Sequence, residues 1–203
     1  MTGTGGWIYN VCDWVMRLAI VNLIWIMLCL AGGVVLGIYP ASVVCAGLLI
    51  QWMSGERPAS PFSYSFKEFK RCFWRANRIF LISMVLLTIL AVNTLISLQF
   101  EGVWFYLFLS STFMLALGII LTLSLALLPL SAGQKGIESV KQAVHFMLVH
   151  PGRVLGLITG AFIAAITIRL IPGLIPLFSV NLLLLVTVFI FHGPYFKRAT
   201  TTI

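Results

Sequence analysis

The sequence predicts an all-α fold, a polytopic transmembrane helical bundle, on three observations. Of 203 residues, 61% are hydrophobic and 9% charged, with a mean hydropathy of +1.08, which lies outside the range of soluble domains. Apolar runs near or above the ~18 residues of a spanning helix recur along the whole chain. The bases gather in a few connectors instead of spreading over a surface, as the positive-inside rule expects. These observations leave no room for a soluble domain of useful size and define one integral membrane domain over 1–203.

The longest uncharged stretch, Leu18 to Met53, covers 36 residues. At ~1.5 Å per helical residue it reaches about 54 Å, against a hydrocarbon core of ~30 Å, so it must turn back or lie partly flat. Gly32, Gly33 and Gly37 loosen the backbone, and Pro40 suits the first turn of a new helix. The expectation is a hairpin, one helix near 18–36 and a shorter one at 40–53, with Gly37 and Pro40 as its structural hinge. The alternative keeps Ala41–Met53 flat or buried on the inner side, giving five spans in place of six. Upstream, Trp7, Tyr9 and Trp14 suit a membrane interface, and Asp13 and Arg17 are spaced for a local ion pair. The opening MTGTGGWIYNVCDW lacks the basic n-region of a cleaved signal peptide, so the first span is expected in the mature protein.

From Ser54 to Arg78 the character changes. Six bases (Arg57, Lys67, Lys70, Arg71, Arg75 and Arg78) face two acids, Glu56 and Glu68. Ser65 to Glu68 matches a capping box, which predicts an amphipathic cytoplasmic helix over 65–77 after an irregular lead-in at Pro58 and Pro61. Phe62, Phe66, Phe69 and Phe73 recur at helical spacing with bases on the other face. Because aromatic and Arg anchors dominate interfaces, Phe66, Phe69, Lys70, Arg71, Phe73 and Arg75 are the candidate residues for docking a membrane partner. The same pattern fits a helix lying on the cytoplasmic leaflet, or a stripe packed on the protein's own bundle.

Further spans are expected at 79–98, 104–128, 154–171 and 175–191, with a second amphipathic helix at 136–149. There Ile137, Val140, Val144 and Leu148 share one face, with Glu138, Lys141 and His145 off it. Connectors 54–78, 129–153 and 192–203 carry the bases, whereas 99–103 and 172–174 are short and poor in Lys and Arg. That alternation places the basic connectors and the C-terminus in the cytoplasm. Six segments put the N-terminus there too; five put it outside. The order apolar helix, basic amphipathic helix, apolar helix occurs at 40–98 and again at 104–171, as in a parallel internal repeat.

The residues that carry chemistry are sparse. Cys12, Cys29, Cys45 and Cys72 form no Cys-x-x-Cys pair, and His145, His150 and His192 share no ligand spacing. Asn22, Asn93 and Asn181 lie inside spans and are expected to make helix-packing contacts, the alternative being a polar pathway. Arg169 is the one charge inside a predicted span, near its outer end, where it can snorkel. No catalytic, metal or cofactor site is expected, and the chain is not read as an enzyme. The net charge of +8 sits in the connectors, so the expected partner is the lipid bilayer and not nucleic acid.

RLAIVNLIWIMLCLAGGVVLGIYPASVV, followed by FKEFKRCFWRAN just before a span, resembles the YesL family of small bacterial membrane proteins. The matching points are Arg17-Leu18, Asn22-Leu23, Trp25, Gly37, Pro40-Ala41, Phe69-Lys70, Phe73 and Ala76-Asn77. Members often carry a more basic N-terminal segment, whereas here Arg17 alone precedes the first span. The resemblance implies a multi-pass protein of the bacterial plasma membrane, of unknown function. Family members are often encoded beside systems that import and degrade oligosaccharides. The expected function is therefore a non-enzymatic accessory or assembly protein of a carbohydrate uptake system, with a carbohydrate ABC transporter or another membrane protein as partner. A small transporter, channel or facilitator acting alone is the alternative.

Overall fold

The computed structural model describes residues 4–55, 60–170 and 184–190, with the backbone alone at 4–8, 10, 11 and 168. Its elements are α1 (Thr4–Ala31), α2 (Val35–Met53), α3 (Pro61–Ser97), α4 (Val103–Ser131), α5 (Gly136–Val149) and α6 (Pro151–Leu170). A further helical stretch occupies 184–190, and no strand occurs among the described residues. Helices α1 to α4 are each long and apolar enough to cross a membrane; α5 and α6, bent by 100° at His150, qualify together as one broken span. The all-α polytopic bundle is thus present. The last expected segment, 175–191, lies largely outside the described residues, as do Asn181, His192 and the C-terminal tail.

The hairpin forms, but at a different place from the expected hinge. Gly33, at φ 76°, ends α1 in the left-handed conformation. The amide of Val34 reaches back to the Cys29 carbonyl at 2.8 Å and that of Gly33 to Leu30 at 3.2 Å, which is a Schellman cap. Val34 follows at φ 59° and ψ −76°, the centre of a γ-turn closed by Val35 N–H on the Gly33 carbonyl at 2.9 Å. For a β-branched residue this backbone is strained. Helix α2 then starts at Val35, so Pro40 lies inside it and not at its first turn. Pro40 removes one bond to the first-turn Leu36 carbonyl without stopping the helix. Gly37 is a contact residue and not a hinge: a Cβ there would fall 2.5 Å from the Cys29 carbonyl oxygen.

Helix α3 corrects two expectations. Ser60, extended at φ −140°, accepts from Ser63 N–H at 3.5 Å, with Pro61 opening the helix. Pro61 therefore acts as a start signal instead of an irregular lead-in. Ser65, the expected cap, is buried within the helix with its hydroxyl unpartnered. The helix then runs unbroken for 37 residues, so the amphipathic 65–77 and the span 79–98 are one rod. No Gly or Pro interrupts Arg75 to Ile82, and nothing else forces a kink. At ~1.5 Å per residue the rod is about 56 Å long, nearly twice the ~30 Å hydrocarbon core.

Two tiers result. In the inner tier α2 lies beside the first half of α3 and the last third of α4. Gln51 Nε2 donates to Tyr64 Oη at 2.7 Å, Tyr39 stacks on Phe80 with ring centroids 5.7 Å apart, and Tyr39 Oη donates to the Leu123 carbonyl at 3.1 Å. On its other side α2 meets α1, where Trp25 Nε1 donates to Ser42 Oγ at 3.1 Å. Arg17 pairs with Asp13 and sits over Trp14 and Trp52, which fixes the open end of the hairpin. In the outer tier α3 and α4 continue beyond this core. No residue from Leu81 to Ile96 is buried, and only Thr112 is buried between Val103 and Ile120. One polar cross-link ties the two helices there, Asn93 Nδ2 donating to Thr112 Oγ1 at 2.6 Å, the packing role expected of a membrane amide. Arg169 is exposed at the end of α6, without an ion pair to the exposed Glu101 among the described residues.

Candidate functional site

The bases converge where α3, the end of α4 and the start of α5 meet. Helix α4 closes on Gly133, at φ 84°, with the amides of Gly133 and Gln134 bonded to the Leu130 and Pro129 carbonyls at 3.0 and 3.2 Å. The carbonyls of Gly133 and Gln134 then point outward, and Arg75 Nη1 donates to them at 2.6 and 3.4 Å. A cation on the negative end of a helix is favourable as a charge and as a hydrogen-bond donor. Arg75 is thereby committed to the fold. Gly136 lets α5 approach α3 closely, since a Cβ there would lie 3.2 Å from Ile79 Cδ1.

Helix α5 keeps its expected bounds, yet its apolar stripe is not the face that packs. The buried residues are Ser139, Ala143 and Phe146, whereas Ile137, Val144 and Leu148 are exposed and Val140 is half-buried. Small residues allow helices to approach closely without a hydrophobic drive between them. Ile137, Val140 and Val144 of the stripe instead border a cleft of about 960 Å³ between α3, α4 and α5, whose lining includes Arg75, Arg78, Lys135, Lys141 and Glu138. The pattern on α5 was legible; which face the protein would cover was not.

The expected docking residues divide. Phe69 is 5% exposed, its ring against the α1–α2 turn at Gly32 and 5.4 Å from the Phe73 ring. Phe73 is half-buried and packed on the core, so both serve the bundle. Phe66, Lys70 and Arg71 remain outside: Lys70 Nζ sits 4.7 Å over the Phe66 ring, and Arg71 Nη1 lies 3.5 Å from Glu68 Oε1. Beside them stands Trp74, 79% exposed, which the search for a phenylalanine stripe missed. Its signal was the four-residue step Phe66, Lys70, Trp74, one helical face next to the stripe. Among the described residues no group of three or more His, Cys, Asp or Glu is placed to hold a metal.

These features define a polytopic helical membrane protein with a basic end, where α3, α4 and α5 meet, and an aromatic, cationic helix face. Over residues 18–94, which cover most of α1 to α3, the chain matches the family described as "Protein of unknown function, DUF624"; across this region it is YesL-like, as the resemblance implied. It is 44% identical over 68 residues to "Uncharacterized protein YesL" of Bacillus subtilis (strain 168), covering 34% of this chain and 32% of that protein. "Uncharacterized protein YteU" of the same organism is 32% identical over 75 residues, covering 37% and 34%. "Uncharacterized protein YesV" is 30% identical over 86 residues, covering 42% and 41%. The matched stretches thus span about a third to two fifths of these relatives. No solved structure matches the chain.

Proposed function

We propose that the chain is a non-catalytic accessory or assembly protein of a bacterial plasma membrane, which docks a membrane partner through the inner half of α3. One observation carries this reading: Phe66, Lys70 and Trp74 stand exposed on one face, next to Arg71, on a helix whose other face is anchored in the core. Large aromatic and Arg side chains presented on a rigid element are the usual anchors of an interface. The basic end of the molecule faces the cytoplasm under the positive-inside rule, with both N- and C-termini on that side. The partner class, a carbohydrate uptake system such as an ABC transporter, comes from the family resemblance alone.

The test is co-purification in mild detergent from the native host. Phe66→Ala with Arg71→Ala and Trp74→Ala is expected to lower recovery of an uptake-system membrane subunit at least tenfold, with the variant still inserted and folded. Trp74→Phe separates docking from lipid contact, because a ring resting only in head groups tolerates the exchange. Wild-type recovery by the triple variant overturns the proposal. Solute counterflow by the purified chain in liposomes would instead favour a self-sufficient transporter. Orientation is read by single-cysteine labelling at 67 or 135 in sealed cells, where strong labelling from outside contradicts a cytoplasmic basic end.

A further inference from the structure

We infer that the cleft between α3, α4 and α5 is a binding site for an anionic phospholipid, its phosphate at the basic rim and its acyl chain between the helices. The site is two-natured along its length. Arg75 and Arg78 stand at one end of its α3 wall, and Ile82 and Leu86 continue that wall. The run from Arg75 to Leu86 is twelve residues, whose eleven steps of ~1.5 Å cover about 16 Å. Leu115 and Ile119 form the α4 wall, and Val144 on the uncovered stripe of α5 forms the third. At about 960 Å³ the cleft is at the upper end of the ~300–1,000 Å³ usual for ligand sites.

Charge selects the occupant. Four cations and one acid, Glu138, line the cleft, leaving a net excess of three positive charges. Arg75 is held on the α4 carbonyls, but Arg78, Lys135 and Lys141 have no ion pair among the described residues. A basic pocket between membrane helices, opening where head groups lie, is the arrangement that retains anionic lipid head groups. A zwitterionic lipid would bring a choline cation to the same rim and gain less. An apolar helix from another protein would leave three cations unmatched in a desolvated cleft, which is costly. Gly118 reinforces the reading: a Cβ there meets nothing within 4 Å, so the α4 wall is open where a chain would lie. The inference is independent of the docking reading, since Phe66, Lys70 and Trp74 are not among the residues that line the cleft.

The experiment is native mass spectrometry of the full chain in mild detergent, titrated with phosphatidylglycerol or phosphatidylcholine of identical acyl chains. Wild type is expected to hold phosphatidylglycerol at a tenfold or greater lower concentration than phosphatidylcholine. Arg78→Gln with Lys141→Gln should bring the two lipids within about twofold of each other. Lys67→Gln with Arg153→Gln removes two charges elsewhere and should keep the preference. Gly118→Leu projects a side chain into the cleft from a position where an added Cβ meets nothing within 4 Å, and should weaken both lipids, reporting chain burial even if the double variant fails to fold. Equal retention of the two lipids by wild type overturns the inference, as does a preference that survives Arg78→Gln with Lys141→Gln. Loss of preference in the Lys67 and Arg153 control would reduce it to general surface charge and overturn it equally.

Discussion

Helix α2 and the outer half of α3 are both apolar, and their surroundings are opposite. Twelve of the nineteen residues of α2 are buried in the bundle, whereas none from Leu81 to Ile96 is. Hydropathy reports that a segment avoids water and is silent on whether protein or lipid replaces it. Side-chain size separates the two. Helix α2 carries Gly37, Ala41, Ser42, Ala46 and Gly47 among its larger residues, and α3 from Leu81 to Ile96 is dominated by Leu, Ile, Val and Met. Small residues let backbones meet, and without them a membrane helix keeps its distance.

The sharpest way to break the contrast is a glycine in each tier. A Cβ at Gly37 would lie 2.5 Å from the Cys29 carbonyl oxygen and 2.7 Å from its Cα, both backbone, whereas one at Gly118 meets nothing. Gly37→Val should therefore abolish a monodisperse, heat-cooperative species in detergent, an effect above ~4 kcal/mol. Gly118→Ala should leave the melting temperature unchanged or slightly raised, since Ala exceeds Gly in helix propensity by ~1 kcal/mol. Equal behaviour of the two variants would mean that the tiers do not differ as described.

Next in size is a leucine pair. Leu48 is fully buried and Leu95 is 65% exposed. Leu48→Ala is expected to cost ~2–5 kcal/mol through lost packing and a cavity, and Leu95→Ala no more than ~0.5 kcal/mol. Thermal unfolding in a mild detergent, followed by helical circular dichroism, measures both. A comparable loss at Leu95 would show that another copy or partner covers the outer tier.

Arg75 tests whether the inner tier needs its charges. Arg75→Gln leaves the Gly133 and Gln134 carbonyls short of a charged donor and should cost ~1–3 kcal/mol. Lys70→Gln, at an exposed cation–π contact, should cost ~0.5–1 kcal/mol. Arg75→Lys is expected to recover only part, because a single ammonium cannot reproduce two nitrogens at once, Nη1 on the Gly133 and Gln134 carbonyls and Nη2 on the Arg71 carbonyl.

The membrane class, the hairpin and the bounds of α5 were legible because apolar length, glycine and proline are local signals. The break in α3 was overread, since a change from basic to apolar composition alters the solvent preference of a helix and not its backbone. The hinge was misplaced for a related reason: Pro40 is the louder residue, but Gly33 has the left-handed conformation that ends α1. Of the expected docking set, Phe69 and Phe73 turned inward while Phe66 on the same stripe stayed out. A stripe shows which residues share a face, and the length of the neighbouring helix decides how much of that face is covered. Arg75 illustrates the limit most plainly, because its partners lie 58 and 59 residues away on a helix end.

The smallest expected effect concerns the outer tier's polar link. Asn93 and Thr112 bond at 2.6 Å between α3 and α4, and Thr112 Oγ1 also donates to the Phe108 carbonyl at 2.8 Å. The lack of water in lipid argues for a strong bond, yet measured interhelical hydrogen bonds in membranes average only ~0.6 kcal/mol, with a maximum near ~1.7. The alternative state is not a bare amide in hydrocarbon, because Asn93 can turn to a nearby carbonyl and Thr112 keeps its own backbone bond. A double-mutant cycle with Asn93→Leu and Thr112→Val, read as unfolding free energy in detergent, is therefore expected to give a coupling of ~0.5–1 kcal/mol. A coupling near zero would show that the outer helices are held by packing and lipid alone. A value above ~2 kcal/mol would mean that the outer tier is shielded like the inner one, and the division between the tiers would fail at the place where it is drawn most sharply.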